Sequence, residues 1–195
     1  MDIADISVHK EVVEDRHRFS GITYRGNAWD LSHLDAFALR VDPGLGFEID
    51  VVVLFSCHCF TQSFKRDGRM PEMIPESEIF DNGRERRVLC PERYDYSRRL
   101  LRRILRELPN RTIQIAATER QNFVTFEERS LDGNSLCRYA VFFEVTRDQR
   151  RKRRLLLQVQ SAYVQQTVSK RQRKAGKVSF DTLLRAAYTG RRIKG

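Results

Sequence analysis

Residues 155–163 constrain the fold most strongly, because their side chains alternate between two chemically different faces. The first face carries Leu155, Leu157, Val159, Ser161 and Tyr163. The second face carries Leu156, Gln158, Gln160 and Ala162. A repeat of two residues is the period of a β-strand, whose successive side chains point to opposite sides of a sheet. The pattern therefore predicts a strand that packs one side against an apolar core.

Further β-rich runs predict that this strand belongs to a mainly antiparallel sheet. The predicted strands are residues 37–41, 47–55, 112–118, 123–128, 137–145 and 155–163, with one or two short strands between residues 8 and 31. The first two flank a loop with one proline and two glycines, which is typical of an antiparallel hairpin. The tight link at residues 147–154 likewise predicts that the strands on either side of it pair antiparallel.

One longer and one shorter helix are predicted. The longer helix begins near Asp95 or Ser97, either of which can cap a helix, and ends at Pro109. Its apolar stripe consists of Leu100, Leu101, Ile104, Leu105 and Leu108, and its opposite face of Arg98, Arg99, Arg102, Arg103 and Arg106. The short C-terminal helix covers residues 181–188 and stops at Gly190. This order of elements indicates an α+β fold, a mainly antiparallel sheet with one longer amphipathic helix and a short C-terminal helix.

The 195 residues are expected to form a single domain, since this length supports one sizeable core. Residues 61–88 lack periodicity and contain two prolines and an Asp-Asn-Gly turn, which predicts a long loop that could act as a lid or a binding element. The chain lacks a run of about 18 apolar residues, and its first residues are acidic where a secretory signal would be basic. We therefore expect a cytoplasmic protein without a membrane partner, whose four cysteines are reduced.

The positive charge is concentrated in the C-terminal segment. Residues 146–195 hold 15 Lys or Arg and 2 acids, so this segment carries a net charge of +13. The whole chain carries +10, which makes the preceding residues slightly acidic. Such a concentrated field attracts polyanions, and nucleic acid is the obvious one. The candidate nucleic-acid-binding residues are Arg86, Arg98, Arg99, Arg102, Arg103, Arg151, Lys152, Arg153, Arg154, Lys170, Arg171, Arg173 and Lys174. A solvated basic surface, or contact with an acidic partner protein, explains the same charge and stays open.

The segment Ser56-Cys57-His58-Cys59-Phe60 has the most unusual local composition, with three soft or titratable side chains in a row. Strand alternation predicts that the two cysteines share one face and that His58 lies on the other. Structural zinc sites use cysteines with two to four residues between them, and no second cysteine pair is present, so we expect neither a metal nor a cofactor. His58 is a candidate general base, and a purely structural histidine is the alternative.

A ribonuclease that works without a metal needs a base for the 2′-hydroxyl, cations for the phosphorane and an acid for the leaving oxygen. His58, Arg93 and Tyr163 could supply these three parts. The sequence has no phosphate-binding glycine loop, zinc-protease motif or serine-hydrolase elbow, which argues against nucleotide hydrolysis and proteolysis.

Four short motifs carry a resemblance to a known group of proteins. They are Asp30-Leu31-Ser32-His33-Leu34, Phe55-Ser56-Cys57-His58-Cys59-Phe60-Thr61, Cys90-Pro91-Glu92-Arg93-Tyr94 and Gln160-Ser161-Ala162-Tyr163. Over roughly residues 20–190 the chain resembles short bacterial proteins carried on plasmids and other mobile elements. This resemblance implies an accessory gene, a class that includes toxins, defence proteins and counter-defence proteins.

Residues 137–163 are also similar to the late antiparallel strands of barnase and RelE-like small ribonucleases. In those proteins the strands lead to a serine or threonine and a tyrosine, so the likeness implies that Ser161 and Tyr163 belong to a catalytic site.

Two functions follow as expectations. The first is a toxin-like, metal-independent ribonuclease with His58, Arg93, Ser161 and Tyr163 near its site, for which RNA is the favoured partner. The second is a noncatalytic module of a mobile element that binds nucleic acid or blocks a nucleic-acid enzyme. Contact between the basic segment and an acidic protein remains a third possibility.

Overall fold

The computed structural model describes residues 8–9, 17–115, 122–130, 133, 135–191 and 193. The strands are β1 (Val8–His9), β2 (Ile22–Tyr24), β3 (Asn27–Trp29), β4 (Phe37–Val41), β5 (Ile49–Phe55), β6 (Thr61–Gln62), β7 (Ile79–Asp81), β8 (Arg86–Leu89), β9 (Thr112–Ile115), β10 (Asn122–Arg129), β11 (Leu136–Arg147), β12 (Arg154–Val164) and β13 (Gly176–Ser179). The helices are α1 (Phe64–Asp67), α2 (Pro91–Tyr96), α3 (Arg102–Arg106), α4 (Lys170–Arg173) and α5 (Phe180–Thr189). Short 3-10 turns cover Ser32–Leu34, Cys57–Cys59, Pro71–Met73, Glu76–Glu78 and Leu108–Asn110, and a π-helical turn covers Ser97–Leu101.

Within the described residues, eight strands form one sheet in the order β1-β4-β5-β12-β11-β10-β9-β13. Neighbouring strands run antiparallel except β5 and β12, which run parallel. The predicted α+β class, with a mostly antiparallel sheet and few helices, is confirmed. So are the antiparallel pairs β4–β5 and β11–β12. The parallel pair places Phe55, at the end of β5, beside Val159 in the middle of β12.

One face of this sheet buries the core. Its apolar side chains include Val51 and Val53 from β5 and Leu157 and Val159 from β12, all 0% exposed. The helical run from α2 through the π turn to α3 covers that face with Leu101, Ile104 and Leu105, which belong to the same cluster. The alternation predicted for residues 155–159 is therefore observed, since Leu156 and Gln158 are less buried than their neighbours.

The single regular amphipathic helix is not confirmed, because the π turn separates α2 from α3. Ser97 is fully buried, and its hydroxyl donates a hydrogen bond to the Tyr94 carbonyl at 2.9 Å. A serine that bonds a carbonyl of the preceding turn competes with the backbone ladder, which gives the irregularity a physical cause. The run also begins at Pro91, earlier than predicted, since proline is favoured in the first helical turn.

The short C-terminal helix α5 is confirmed. Ser179 accepts a hydrogen bond from the Thr182 amide at its start, and Gly190 ends it with φ 71°. The predicted strand at residues 112–118 is observed over β9, and residues 116–118 lie outside the described part of the chain.

Residues 61–88, expected as one long loop, contain the small antiparallel sheet β6-β8-β7. These strands have only two to four residues each, too few to show a period in the sequence. The buried carboxylate of Glu78 stabilises this region, because it pairs with Arg25 at 2.8 Å and with Arg69 at 2.8 Å.

None of the helices in the described part of the chain combines the length and the apolar character that crossing a bilayer requires.

Candidate functional site

The candidate site begins where strand β5 ends. Ser56 follows β5 in extended conformation, and its hydroxyl donates to the Gln160 carbonyl of β12 at 2.6 Å. The same hydroxyl accepts a hydrogen bond from the His58 amide at 3.3 Å and so caps the turn Cys57–Cys59. The parallel β5–β12 pair therefore fixes where this turn starts.

The 3-10 turn changes the directions that strand alternation predicts for its three side chains. Successive residues of such a turn are about a third of a revolution apart, so neighbours can reach towards a common point. Cys57 and His58 accordingly both contact Glu85, whereas Cys59 is fully buried in the core. Both cysteines are buried in the core cluster while His58 is partly exposed, as expected, but the shared contact with Glu85 means that His58 is not independent of Cys57.

Glu85 is the centre of the cluster. Its Oε1 lies 2.8 Å from Nε2 of His58 and 3.3 Å from Sγ of Cys57. Its Oε2 lies 3.1 Å from the same imidazole nitrogen and 3.2 Å from a guanidinium nitrogen of Arg87. Nδ1 of His58 makes no hydrogen bond with any residue that the structure describes. The imidazole therefore has one nitrogen held by a carboxylate and one available for proton transfer.

The turn between β7 and β8 delivers Glu85 to this position. Oδ1 of Asn82 accepts hydrogen bonds from the amides of Arg84 and Glu85, each at 3.0 Å. Gly83 adopts φ 76°, a conformation in which a side chain would be strained. The Asp-Asn-Gly signal in the sequence marks this turn correctly, but it does not say which carboxylate the turn presents.

The pKa shifts of Glu85 and Cys57 agree with the hydrogen bonds between them. Burial raises the pKa of Glu85, but hydrogen bonds from His58 and Cys57 outweigh that effect, so the pKa lies below its ordinary value. Burial, followed by the hydrogen bond to Glu85, raises the pKa of the Cys57 thiol to about 12. Cys57 is therefore a protonated donor and no nucleophile at neutral pH, while Glu85 is an ionised acceptor.

The cluster opens into a groove of about 1050 Å³ on the less apolar face of the sheet. The lining residues are His17, Arg18, Phe19, Leu54, Phe55, Ser56, Cys57, His58, Asn82, Arg84, Glu85, Gln158, Gln160 and Ser161. Two arginines and one glutamate are the charged members of this set, so the lining is net positive before either histidine is protonated. Side-chain exposures of 33% for His58 and 39% for Glu85 make both accessible from the groove.

Two of the four predicted catalytic residues, His58 and Ser161, line this groove. Arg93 does not: it is 6% exposed, and its NH1 donates to the carbonyls of His58 at 2.9 Å and Thr61 at 2.8 Å. The Arg93 guanidinium also lies over the Tyr163 ring, 4.9 Å from its centroid. Arg93 therefore stabilises the backbone on the buried side of His58.

Tyr163, the fourth predicted catalytic residue, is a packing residue in this fold. Arg66 lies 4.8 Å from its ring centroid, and the Phe142 ring stacks against it at 5.5 Å. Its ring is therefore in contact with two cations and an aromatic ring, and it is not among the residues that line the groove.

The basic C-terminal residues lie in separate places. Arg151, Lys152 and Arg153 are exposed at the turn that precedes β12, whereas α4, with Lys170, Arg173 and the following Lys174, lies beyond its other end. A strand of 11 residues separates these groups by roughly 33 Å. The side chain of Arg171 lies outside the described part of the structure. The two basic groups therefore do not form one cluster.

Several other predicted cations already have partners. Arg154 pairs with Asp148 at 3.2 Å, and Arg86 pairs with Glu76 at 2.6 Å. Arg102, expected on a solvent face, is half-buried and donates to the Asp35 carbonyl at 3.2 Å. The side chains of Arg98, Arg99 and Arg103 are exposed along the helical run, and the Arg98 guanidinium lies over the Tyr94 ring, 5.5 Å from its centroid.

Sequence reasoning missed Glu85 as the partner of His58, and it missed Asn82 and Arg84 as residues that line the groove. Glu85 follows His58 by 27 residues, and the two meet only because β8 pairs with β6 next to the Cys57–Cys59 turn. The sequence pattern paired Cys57 with Cys59 as possible metal ligands. The three possible ligands that the structure brings together are instead Cys57, His58 and the distant carboxylate of Glu85.

Comparisons with known proteins correct the earlier resemblances. A model of the YjaZ family matches residues 21–188. Protein YjaZ of Escherichia coli (strain K12) is 31% identical over 162 residues, which cover 81% of this chain and 83% of that protein. No solved structure matches.

The assignment to plasmid and mobile-element proteins is therefore wrong, as is the likeness to barnase and RelE-like ribonucleases. That likeness rested on one antiparallel hairpin, an element that many unrelated sheets contain, and here β12 also pairs parallel with β5. The family match covers every described strand of the main sheet except β1, and every residue that lines the groove except His17, Arg18 and Phe19. The chain belongs to the YjaZ family.

Proposed function

We propose that the groove binds RNA and cleaves it without a metal ion, with His58 as the general base. The observation that carries this proposal is the His58–Glu85 pair at 2.8 Å, which opens into a net-positive groove. A carboxylate that accepts a hydrogen bond from one imidazole nitrogen fixes the tautomer and leaves the lone pair of the other nitrogen to take the proton. Such a pair is suited to removing a proton from a hydroxyl group held in the groove.

The chemical step uses the groove residues alone. Nδ1 of His58 takes the proton of the 2′-hydroxyl, whose oxygen attacks the adjacent phosphorus. The bond from phosphorus to the 5′-oxygen breaks, and His17, the other histidine of the lining, gives that oxygen a proton. Arg18 and Arg84 stabilise the negative charge of the phosphorane. The products are a 2′,3′-cyclic phosphate and a 5′-hydroxyl.

The size and charge of the groove support a polymer as the substrate. Pockets for small molecules commonly have about 300–1,000 Å³, and the volume of this groove, about 1050 Å³, lies just above that range. Arginine forks match phosphate oxygens, and the Gln158 amide can bond to sugar and base edges. Exposed arginines Arg98, Arg99 and Arg103 offer further phosphate contacts outside the groove.

The test is incubation of the purified protein with total RNA in EDTA. We expect fragments that end in 2′,3′-cyclic phosphate, and His58→Ala should slow their formation about 10²- to 10⁴-fold, the usual contribution of a general base. His33→Gln is the matched control, because His33 bonds Ser97 at 2.8 Å and does not line the groove.

Two outcomes would overturn the proposed ribonuclease activity. Intact RNA with a salt-sensitive gel shift would instead indicate a noncatalytic nucleic-acid-binding module. Intact RNA with no shift near physiological salt would point to an acidic protein as the partner of the basic C-terminal residues.

A further inference from the structure

The same cluster has a second chemical capacity that the proton-transfer role does not use. Cys57, His58 and Glu85 each offer one ligand atom, and these three atoms lie within 4.8 Å of one another. We propose that Cys57, His58 and Glu85 bind a zinc ion whose fourth coordination position faces the groove. This site does not depend on RNA cleavage and goes beyond that function.

The donor set matches zinc. Zinc accepts thiolate, imidazole and carboxylate ligands together, whereas magnesium and calcium prefer oxygen alone. Donors at about 2.0–2.3 Å from a tetrahedral ion lie about 3.3–3.8 Å from each other. Sγ of Cys57 and Oε1 of Glu85 are already 3.3 Å apart, and Nε2 of His58 must move about half an ångström from its 2.8 Å contact.

The backbone of both neighbouring ligands is fixed in advance. The Thr61 hydroxyl donates to the carbonyl of Cys57 at 2.8 Å, and Arg93 donates to the carbonyl of His58 at 2.9 Å. Both partners are buried, with 0% exposure for Thr61 and 6% for Arg93. Two adjacent ligands held in this way lose little conformational freedom when an ion binds, which favours binding.

The groups around the ligands also suit an ion. Arg87 binds the Glu85 carboxylate at 3.2 Å and the Thr61 hydroxyl at 2.8 Å, so it orients the oxygen ligand. The Asn82 amide nitrogen lies 3.7 Å from Sγ of Cys57 and can donate to a thiolate. Outer partners of this kind tune affinity in known metal sites.

Three protein ligands leave one position of a tetrahedron unfilled. The partly exposed edge of the cluster is formed by His58 and Glu85, so the fourth position points to the groove and takes water or a groove ligand. Cys59 cannot fill it, because that thiol is fully buried on the core side.

Zinc binding has a defined proton balance. The Cys57 thiol loses its proton to solvent as the S–Zn bond forms. The hydrogen bond between His58 and Glu85 breaks, and the imidazole coordinates through Nε2 with its proton on Nδ1. Each zinc ion therefore releases at least one proton, with no change of oxidation state.

The experiment uses the full-length protein after chelator treatment and dialysis under reducing conditions. Titration with zinc chloride by calorimetry should give one ion per chain, and titration with cobalt(II) should give the thiolate-to-cobalt charge-transfer band of a tetrahedral site. Cys57→Ser should remove the charge-transfer band. Glu85→Gln, at a partly exposed position, should weaken zinc binding at least about tenfold.

Cys59→Ala is the matched control, since it removes the other thiol of the same turn but no ligand. It should keep both the band and the stoichiometry, with circular dichroism showing that each variant is folded. Failure of the folded wild-type protein to bind zinc saturably would overturn the proposal. Binding that Cys57→Ser and Glu85→Gln leave unchanged would also overturn it. Neither readout contains RNA, so absence of cleavage would count against the ribonuclease alone.

Discussion

At the scale of single residues, Nε2 of His58 has two competing uses. It lies 2.8 Å from Glu85, which supports proton transfer, and it belongs to the proposed zinc site. A zinc-bound imidazole carries its proton on Nδ1 and cannot act as a base there. We predict that stoichiometric zinc suppresses the RNA cleavage expected of the zinc-free protein and that Cys57→Ser makes cleavage resistant to zinc. Equal inhibition of both proteins, measured as initial rates, would contradict this competition.

A second prediction at the residue scale concerns the contribution of Glu78 to stability. Its buried carboxylate pairs with Arg25 and Arg69, and Glu78→Gln should lower the free energy of unfolding by about 1–2 kcal/mol, the cost of losing charge-assisted hydrogen bonds. Glu76→Gln is the control, because that side chain is 82% exposed in its pair with Arg86 and should change little. Urea denaturation of the three proteins measures the difference.

The same residue sets a pH dependence with a definite sign. The hydrogen bond from Arg25, and then that from Arg69, hold the pKa of Glu78 below its ordinary value despite burial. The unfolded chain therefore binds the proton more readily, so this contribution is present above the ordinary glutamate pKa and is lost as the pH falls through the lower folded value. Urea denaturation across the acidic range should show a smaller loss of stability for Glu78→Gln than for wild type.

At the scale of elements, the parallel pair β5–β12 holds the centre of the sheet. Leu157 of β12 is fully buried opposite Val53, and Leu157→Ala should cost about 2–5 kcal/mol because it leaves a cavity. Leu136 at the start of β11 is 73% exposed, and Leu136→Ala should change stability by less than about 0.5 kcal/mol. Similar losses from both substitutions would show that the assigned core face is wrong.

Local signals in the sequence predicted most of the main sheet. The period of two in residues 155–159, the hairpin β4–β5 and the capped helix α5 are all properties of neighbouring residues, so they could be found without a structure. The parallel pairing of β5 with β12 joins residues about a hundred positions apart, and no local pattern encodes it. The π turn escaped detection for a related reason, since it depends on the burial of Ser97.

The candidate site shows the same division. His58 was selected for its residue type at the end of a predicted strand, whereas Ser161 was selected through a likeness to small ribonucleases that is wrong; both line the groove. Arg93 was selected for its charge, yet its guanidinium is buried and donates hydrogen bonds to two backbone carbonyls. Glu85 was missed because its role depends on the pairing of β6 with β8.

At the scale of the whole molecule, the positive charge is divided between sites. The turn with Arg151, Lys152 and Arg153 lies beyond one end of β12, away from α4 at the other end. We predict that replacing these three residues with Gln leaves the rate of RNA cleavage within about twofold, since phosphate contacts far from the reacting atoms act mainly on affinity. Arg84→Gln in the groove should lower that rate and reduce the salt slope of RNA binding by about 1. A larger loss of cleavage rate from the triple substitution than from Arg84→Gln would indicate that RNA binds at the turn before β12.

Nuclear magnetic resonance of the histidine rings shows whether the groove at His58 and Glu85 is the functional site. Zinc-free protein is titrated with an oligonucleotide whose 2′-hydroxyls are replaced by hydrogen, so that it binds without being cleaved. The ring resonances of His58 and His17 should shift saturably, while those of His33, which is bonded to Ser97 away from the groove, should stay in place. Saturable binding that leaves the His58 ring unshifted would contradict the claim.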